Sequence, residues 1–198
     1  MRRKRKKRIG IFGGTFNPPH IGHLIAAERV CEVLQLDKVF FVPSFVSPHK
    51  REGEEVLASH RLAMVKLAVR SNKNFEASDV EVLAKETSYT YKTVELFCRR
   101  FPGSKLYFII GMDNYAQFST WKYPDRIITS ATIVVVNRPS GQPRRIRSRF
   151  APSVRFIDIP DIEISSSDIR ERVRKGRSIR YLVPEKVKKY IVRKKLYR

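Results

Sequence analysis

Near its amino end the chain reads Ile9-Gly10-Ile11-Phe12-Gly13-Gly14-Thr15-Phe16-Asn17-Pro18-Pro19-His20-Ile21-Gly22-His23. The apolar run at 9–12, followed by paired glycines, predicts a buried strand that closes into a tight turn. From Gly22 to about Leu36, apolar residues recur at spacings of three and four, which predicts an amphipathic helix. The stretch is therefore a strand, a loop and a helix, the first unit of an alternating chain.

The rest of the chain continues this alternation of strands and helices. We predict further strands at residues 38–43, 75–82, 105–110, 132–136 and 154–159, and helices at 57–69, 91–101, 166–175 and 184–195. Strands that are apolar on both faces and alternate with helices favour a parallel sheet covered on both sides. We therefore predict a single doubly wound α/β domain over residues 9–198, with a basic helical segment at its carboxyl end.

Positive charge is concentrated at the ends of the chain. The net charge is +22; residues 1–8 contain 7 basic residues, residues 138–155 contain 6 without an acid, and residues 165–198 contain 13 against 3 acidic. Repulsion within residues 1–8 predicts a flexible tail. The clusters favour a polyanion partner or long-range attraction of small phosphorylated anions, and a merely solubilising surface is an equal alternative. Any binding of nucleic acid is expected to be nonspecific.

The sequence also predicts where the protein works. No apolar run approaches the roughly 20 residues that cross a bilayer, and residues 1–8 lead into a strand instead of a signal-peptide core. Cys31 and Cys98 both lie in helix-like apolar patterns, which favours reduced packing residues. We predict a cytoplasmic protein without a membrane segment, and the oligomeric state, including a homo-oligomer, stays open.

The loop after the first strand is the first candidate site. In doubly wound sheets, ligands gather at the carboxyl ends of the strands. Gly13 and Gly14 let backbone N–H groups approach a ligand, and the next helix directs its positive end at the same space. The loop is therefore expected to hold phosphate. It lacks both the Gly-x-Gly-x-x-Gly and the P-loop patterns, which disfavours ordinary dehydrogenases and P-loop kinases.

Two histidines accompany this loop. His20 and His23 are three positions apart, so their rings can face one bound group, with Gly22 leaving space between them. Imidazoles there can donate hydrogen bonds to phosphate and stabilise charge that develops on phosphorus. A packing or capping pair is the alternative. A zinc site would need a third ligand, for which the sequence offers no good candidate, so no protein metal site is predicted.

Two sequence motifs, one near each end of the chain, resemble the signatures of a known enzyme family. Residues 13–18 with His20-Ile21-Gly22-His23 resemble the first signature of the nucleotidyltransferases with a (Thr/His)-x-Gly-His motif. Ile164-Ser165-Ser166-Ser167-Asp168-Ile169-Arg170 resembles their second signature, near the carboxyl end. The closest likeness is to the bacterial nicotinate-mononucleotide adenylyltransferases, and it covers essentially the whole chain after the basic tail. It extends to Phe41-Val42-Pro43, Ser47-Pro48-His49-Lys50, Ser78-Asp79-Val80-Glu81, Thr87-Ser88-Tyr89-Thr90, and Gly111-Met112-Asp113 with Trp121.

The resemblance implies a Rossmann-like nucleotidyltransferase fold and a reaction of ATP with nicotinate mononucleotide that gives deamido-NAD and pyrophosphate. Magnesium is expected with ATP. The implied catalytic residues are His20, His23 and Arg170. The implied ATP contacts are Gly13, Gly14, Thr15, Phe16, Lys50, Ser165 and Ser166, and the implied substrate contacts are Asn17, Thr87, Tyr89, Gly111, Asp113 and Trp121.

Several alternatives to this functional interpretation stay open. Nicotinamide mononucleotide or phosphopantetheine can replace the acceptor, and a nucleic-acid-binding module is a more distant option. Ser165 can be a plain helix cap, and Trp121 can pack against its own helix. Two positions depart from the family pattern: Asn17 stands where Asp is more frequent, which removes a negative charge beside the phosphates, and Lys92 stands where Asp is common.

Overall fold

A parallel sheet forms the centre of the molecule. The computed structural model describes residues 5–48, 56–137 and 149–198. Within these residues the six strands are β1 (Arg8–Gly14), β2 (Lys38–Pro43), β3 (Phe75–Ala77), β4 (Lys105–Gly111), β5 (Thr132–Asn137) and β6 (Val154–Asp158). Their order is β3-β2-β1-β4-β5-β6, and every paired neighbour runs parallel. The predicted doubly wound α/β fold is confirmed.

Helices cover both faces of the sheet. The described helices are α1 (Ile21–Val33), α2 (Ala58–Val69), α3 (Val80–Ala84), α4 (Thr90–Arg100), α5 (Met112–Ala116), α6 (Pro124–Ser130), α7 (Ser166–Arg174) and α8 (Glu185–Arg193). Successive residues of β2 alternate between the faces: Phe41 packs in the cluster that contains α1, and Phe40 in the cluster that contains α4. Because both faces are covered, the central strands β2, β4 and β5 have mainly apolar sequences.

The carboxyl-terminal helices form a third apolar cluster on α2. Ile169 of α7 and Val187 and Ile191 of α8 pack with Met64 and Ala68 of α2. This arrangement brings α7 and α8 beside the loop that follows β1, where the backbone N–H of Ile21 donates to the carbonyl of Leu182, 2.9 Å away. The end of the chain therefore lies against its beginning.

One segment differs in type from the sequence prediction, whereas the other predicted elements differ at most in their bounds. The predicted strand at 75–82 is a strand only at Phe75–Ala77, and residues from Val80 onward form α3. The spacing of Val80 and Leu83 also fits a helix, and Val80 packs against the α4 side of the core, which favours the helical turn there. At the amino end, the guanidinium of Arg5 binds the carboxylate of Asp37, and β1 begins at Arg8. Residues 1–4 lie outside the described residues.

The topology determines where a ligand can bind. From β1 the chain moves outward on one side of the sheet through β2 and β3, and then on the other side from β4 through β5 and β6. The strand order thus reverses between β1 and β4, and the crevice outside their carboxyl ends is the expected ligand site. In the described ranges, no helix has the length and apolar character to cross a membrane.

Candidate active site

A cavity of about 1270 Å³ opens at this crevice. That volume exceeds the range of roughly 300–1,000 Å³ usual for one small ligand, so the cavity can hold two substrates side by side. Five segments contribute to its lining: the loop after β1, the segment after β2, residues within 81–90, which lead into α4, the segment after β4 and the approach to α7. The predicted site residues among the lining are Gly13, Gly14, Thr15, Phe16, Asn17, His20, His23, Tyr89, Gly111, Asp113, Trp121, Ser165 and Ser166.

Close aromatic contacts explain the glycines of the loop. A Cβ atom on Gly13 would lie 3.0 Å from the ring of Phe108, and one on Gly14 would lie 3.2 Å from the ring of Phe16. Phe16 itself has a φ of 50°, and its ring turns inward to pack edge-on against Phe12, with 5.6 Å between the centroids. Phe16 therefore offers its backbone to the cavity, while its ring belongs to the core.

The histidine rings touch each other. His20 precedes α1 and His23 lies in its first turn; their rings stack with 3.6 Å between centroids and 24° between planes. The backbone N–H of His20 donates to Nδ1 of His23, 3.1 Å away. A Cβ on Gly22 would lie 3.1 Å from Nδ1 of His20. Gly22 thus makes room for the ring of His20, and the expected space between the two rings is not found.

The surroundings of His23 favour the neutral form of its imidazole ring. Removal from water lowers the pKa of His23 well below its usual range, and the neighbouring His20 lowers it further. Phe16 contributes to these surroundings, with its ring centroid 5.0 Å from that of His23. Because Nδ1 accepts a hydrogen bond, the neutral ring carries its proton on Nε2. His23 is therefore a neutral hydrogen-bond donor at neutral pH.

The second signature meets the first one. The hydroxyl of Ser166 donates to the carbonyl of Pro18, 2.8 Å away, and Oγ of Ser165 accepts from the N–H of Asp168 at 3.0 Å. Ser165 is thus a helix cap that also lines the cavity. Since the hydroxyl proton of Ser166 is bound to the loop, an anion at this end of α7 would bind the first backbone N–H groups of the helix.

Among the described residues, two of the predicted site residues lie outside the cavity lining. The guanidinium of Arg170 donates to the carbonyl of Asn17 at 2.9 Å and to Oγ of Ser167 at 3.2 Å, so it braces the loop. Thr87 lines a neighbouring pocket of about 240 Å³. Lys50 falls outside the described residues. The roles assigned to these three residues stay predictions.

The opposite end of the cavity is aromatic. Trp121 is half-buried, lines the cavity and packs against Phe118, with 5.3 Å between centroids, so packing and an open ring face coexist. Nζ of Lys122 lies 4.7 Å from the ring centroid of Tyr89, which links the segments before α4 and after β4. Tyr89 and Trp121 therefore line the same cavity, and their role toward a substrate stays a prediction.

A buried arginine, which the sequence analysis missed, ties the loops together. Arg61 of α2 is 1% exposed and donates to the carbonyls of Thr15 at 2.9 Å, Ser44 at 2.6 Å, Phe45 at 2.8 Å and Val56 at 3.0 Å. It thereby joins the loop after β1 to the segment after β2. The sequence feature that could have indicated its burial is its position on the apolar face of the helix, three residues after Ala58 and four before Val65.

Two further polar groups lie in the lining. Burial raises the pKa of Glu81, although Oγ1 of Thr93 donates to its carboxylate at 2.5 Å. The hydroxyl of Ser44 is buried and has no hydrogen-bond partner in the described parts of the chain. Glu81 belonged to a segment that carried the resemblance, but Ser44 had no signal in the sequence.

Comparison with known proteins agrees with the geometry. Residues 11–172 match the family described as cytidylyltransferase-like. The chain is 42% identical over 190 residues to a "probable nicotinate-nucleotide adenylyltransferase" of Exiguobacterium sibiricum, covering 96% of this chain and 98% of that one. It is 39% identical over 191 residues to the "nicotinate-nucleotide adenylyltransferase" of Bacillus subtilis, covering 96% and 98%.

A solved structure shares the fold. The nicotinic acid mononucleotide adenylyltransferase of Plasmodium falciparum, complexed with NaAD, superposes with a TM-score of 0.80, 20% identity, and 96% and 97% of the two chains covered. At this identity the likeness shows the fold alone. The relatives, in contrast, match at about 40% identity along nearly the whole chain. The chain therefore belongs to the cytidylyltransferase-like family, alongside members that are named nicotinate-nucleotide adenylyltransferases.

Proposed function

We infer that the chain is a nicotinate-nucleotide adenylyltransferase, which joins ATP and nicotinate mononucleotide to give deamido-NAD and pyrophosphate in NAD biosynthesis. One observation carries this conclusion: residues of both signatures and of the Trp121 segment line a single cavity. Relatives that match this chain along nearly their full length, at about 40% identity, are named as nicotinate-nucleotide adenylyltransferases. The predicted enzyme class is thereby confirmed.

The reaction needs no protein nucleophile. A phosphate oxygen of the mononucleotide attacks the α-phosphorus of ATP, the new P–O bond forms, and the bond to the β-phosphate breaks to release pyrophosphate. Catalysis then consists of positioning and of stabilising the charge that spreads over the phosphoryl oxygens. The residues around the cavity supply both.

At the phosphate end, the donors are neutral or positively charged. Nε2–H of His23 and the ring of His20 donate to the triphosphate, and the backbone of residues 13–16 lies beside it. The start of α7, after Ser165, receives the leaving pyrophosphate through its N–H groups. Arg170 has five N–H donors and uses one on the carbonyl of Asn17 in the loop and one on Oγ of Ser167 in α7, which leaves donors for the pyrophosphate.

At the aromatic end, the pyridine ring stacks on Trp121, because a flat cationic ring suits the face of an indole. Tyr89 and Thr87 bound this subsite, and backbone N–H groups of the same segment bind the nicotinate carboxylate. Gly111 and Asp113, at the end of β4 and the start of α5, contact the ribose side of the substrate. Lys50 contributes a further cation to the phosphates.

Magnesium arrives as Mg-ATP, because the ion keeps much of its water shell and bridges phosphate oxygens. Among the described residues there is no group of three or more His, Cys, Asp or Glu that could hold a metal. We place the reaction in the cytoplasm, and both cysteines are free thiols, consistent with a reducing compartment. Nucleic acid binds only nonspecifically, through the basic clusters, and is released at several hundred millimolar salt.

A panel of acceptors tests the function. The protein is incubated with Mg-ATP and, separately, nicotinate mononucleotide, nicotinamide mononucleotide or phosphopantetheine, and both pyrophosphate and the adenylylated product are measured. We expect the nicotinate form to give the highest kcat/KM. A preference for another acceptor would overturn the substrate assignment, and the absence of pyrophosphate with all three would overturn the reaction.

A further inference from the structure

The side chain of Asn17 is held by a residue from the far end of the chain. The hydroxyl of Tyr197 donates to Oδ1 of Asn17 over 2.7 Å, although 180 residues separate the two in the sequence. Both residues are buried, with 2% of Asn17 and 9% of Tyr197 exposed. This is a side-chain contact between the phosphate loop and the segment that follows α8.

The position of Tyr197 is well supported. Leu196 and Tyr197 both belong to the apolar cluster that α2, α7 and α8 form, where they pack with residues such as Met64 and Ile169. Lys195 and Tyr197 have φ values of 51° and 64°, a region that residues other than glycine rarely adopt. Such backbone conformations persist where packing holds them. The hydroxyl therefore reaches Asn17 from a fixed support.

The contact determines which end of the amide faces the cavity. An Asn side chain has an acceptor at Oδ1 and two donors at Nδ2. Oδ1 is bound to Tyr197, and the backbone carbonyl of Asn17 accepts from Arg170. Among the described residues, no hydrogen bond from Nδ2 is found, and Asn17 lines the cavity. The donor end of the amide is thus the end that is available to a ligand.

We propose that Tyr197 is a positioning residue, whose hydroxyl orients the amide of Asn17 so that Nδ2–H donates to the polyphosphate of ATP. The inference rests on the proposed function, because it assigns the phosphate end of the same cavity. A carboxylate at position 17 would accept from Tyr197 with one oxygen and present its second anionic oxygen to the phosphates. The Asn17–Tyr197 pair instead presents a neutral donor, which favours an anion.

The test measures binding, so it does not depend on turnover. Calorimetry gives Kd for magnesium and an ATP analogue with a methylene bridge between the α- and β-phosphates, in wild type, Y197F, N17A and the double variant. Y197F removes one oxygen atom, and loss of one neutral hydrogen bond in the site is expected to weaken binding about three- to tenfold. In the N17A background, the same substitution should change Kd by less than about 1.5-fold, since the group that Tyr197 orients is gone.

Tyr190 provides the matched control. Its hydroxyl is 2.8 Å from Nδ1 of His60, in the same carboxyl-terminal region but away from the cavity lining. Y190F likewise removes one hydroxyl group that contacts another side chain, and Kd for the ATP analogue should stay within twofold of the wild-type value. Thermal unfolding of each variant separates binding from folding, and Y197F should lower Tm by only a few degrees.

Each result bears on the inference. An unchanged Kd in Y197F would overturn it, as would an equal loss of affinity with and without the Asn17 amide, because Tyr197 would then act by another route. A Y197F protein that is unfolded at 25 °C would also contradict it, since the hydroxyl would then serve the stability of the whole fold. Wild type that fails to bind the analogue would instead refute the ATP site itself.

Discussion

Replacement of Arg61 by methionine should destabilise the protein strongly. Methionine fills the space of the aliphatic stem but leaves the carbonyls of Thr15, Ser44, Phe45 and Val56 without the guanidinium that now binds them. Each buried acceptor that loses its partner costs about 1–3 kcal/mol, and relief from burying the charge offsets part of the sum. We expect a net loss of about 4 kcal/mol in the free energy of unfolding, and a Tm about 8–16 °C lower.

Urea unfolding, followed by circular dichroism, measures this loss. The slope of the transition should be unchanged, because the surface exposed on unfolding is the same. The matched control is R29M: Arg29 forms an exposed ion pair with Glu32 at 2.9 Å, and its loss should cost less than about 0.5 kcal/mol. A loss below about 1 kcal/mol in R61M would refute the idea that this arginine holds the loops together.

Three other substitutions test the site. H20A should lower kcat by about 100-fold or more, as removal of a donor to the transition state does. The control H60A, which lies outside the cavity lining, should retain the kcat of the wild type. Near-normal turnover in H20A would remove His20 from the mechanism. W121A should raise KM for nicotinate mononucleotide about tenfold through lost stacking, with KM for ATP unchanged, and equal changes in both would contradict the pyridine subsite. The pKa of His23 is lower in the folded protein than its value of about 6.5 in the unfolded chain. Below about pH 6.5 the unfolded chain therefore takes up a proton more readily than the folded protein does, and the free energy of unfolding falls as the pH falls toward the folded pKa. Tm of the wild type should therefore fall more than that of H23Q between pH 7.5 and 5.5, and parallel curves would disprove the assignment.

Local patterns predicted most of the fold. The strand at 38–43 has the predicted bounds, because a buried parallel strand reads as an unbroken apolar run. The two signatures meet in one cavity, with Ser166 bound to Pro18, because the sheet topology brings both to the carboxyl ends of β1 and β4. The prediction for residues 75–82 was wrong in part, since the apolar residues at 80 and 82 fit the period of a strand, whereas those at 80 and 83 fit the period of a helix.

Contacts over long sequence separations could not be predicted. Arg61 binds carbonyls of two loops, and the sequence gives no sign of which backbone groups would surround it. Tyr197 reaches Asn17 only because the cluster of α2, α7 and α8 turns the end of the chain toward the loop. The stacking of His20 on His23 likewise depends on the path of the loop, not on their spacing alone.

The loop between β1 and α1 is held by residues that follow it by more than 140 positions and are therefore synthesised much later. Leu182, Ser166, Arg170 and Tyr197 all bind backbone or side-chain atoms of residues 17–21. On the ribosome, β1 and its neighbours can pair well before these partners have left the exit tunnel. The contacts that hold this loop therefore form only after the strands of the sheet have been made, so the phosphate end of the cavity is completed late during folding on the ribosome.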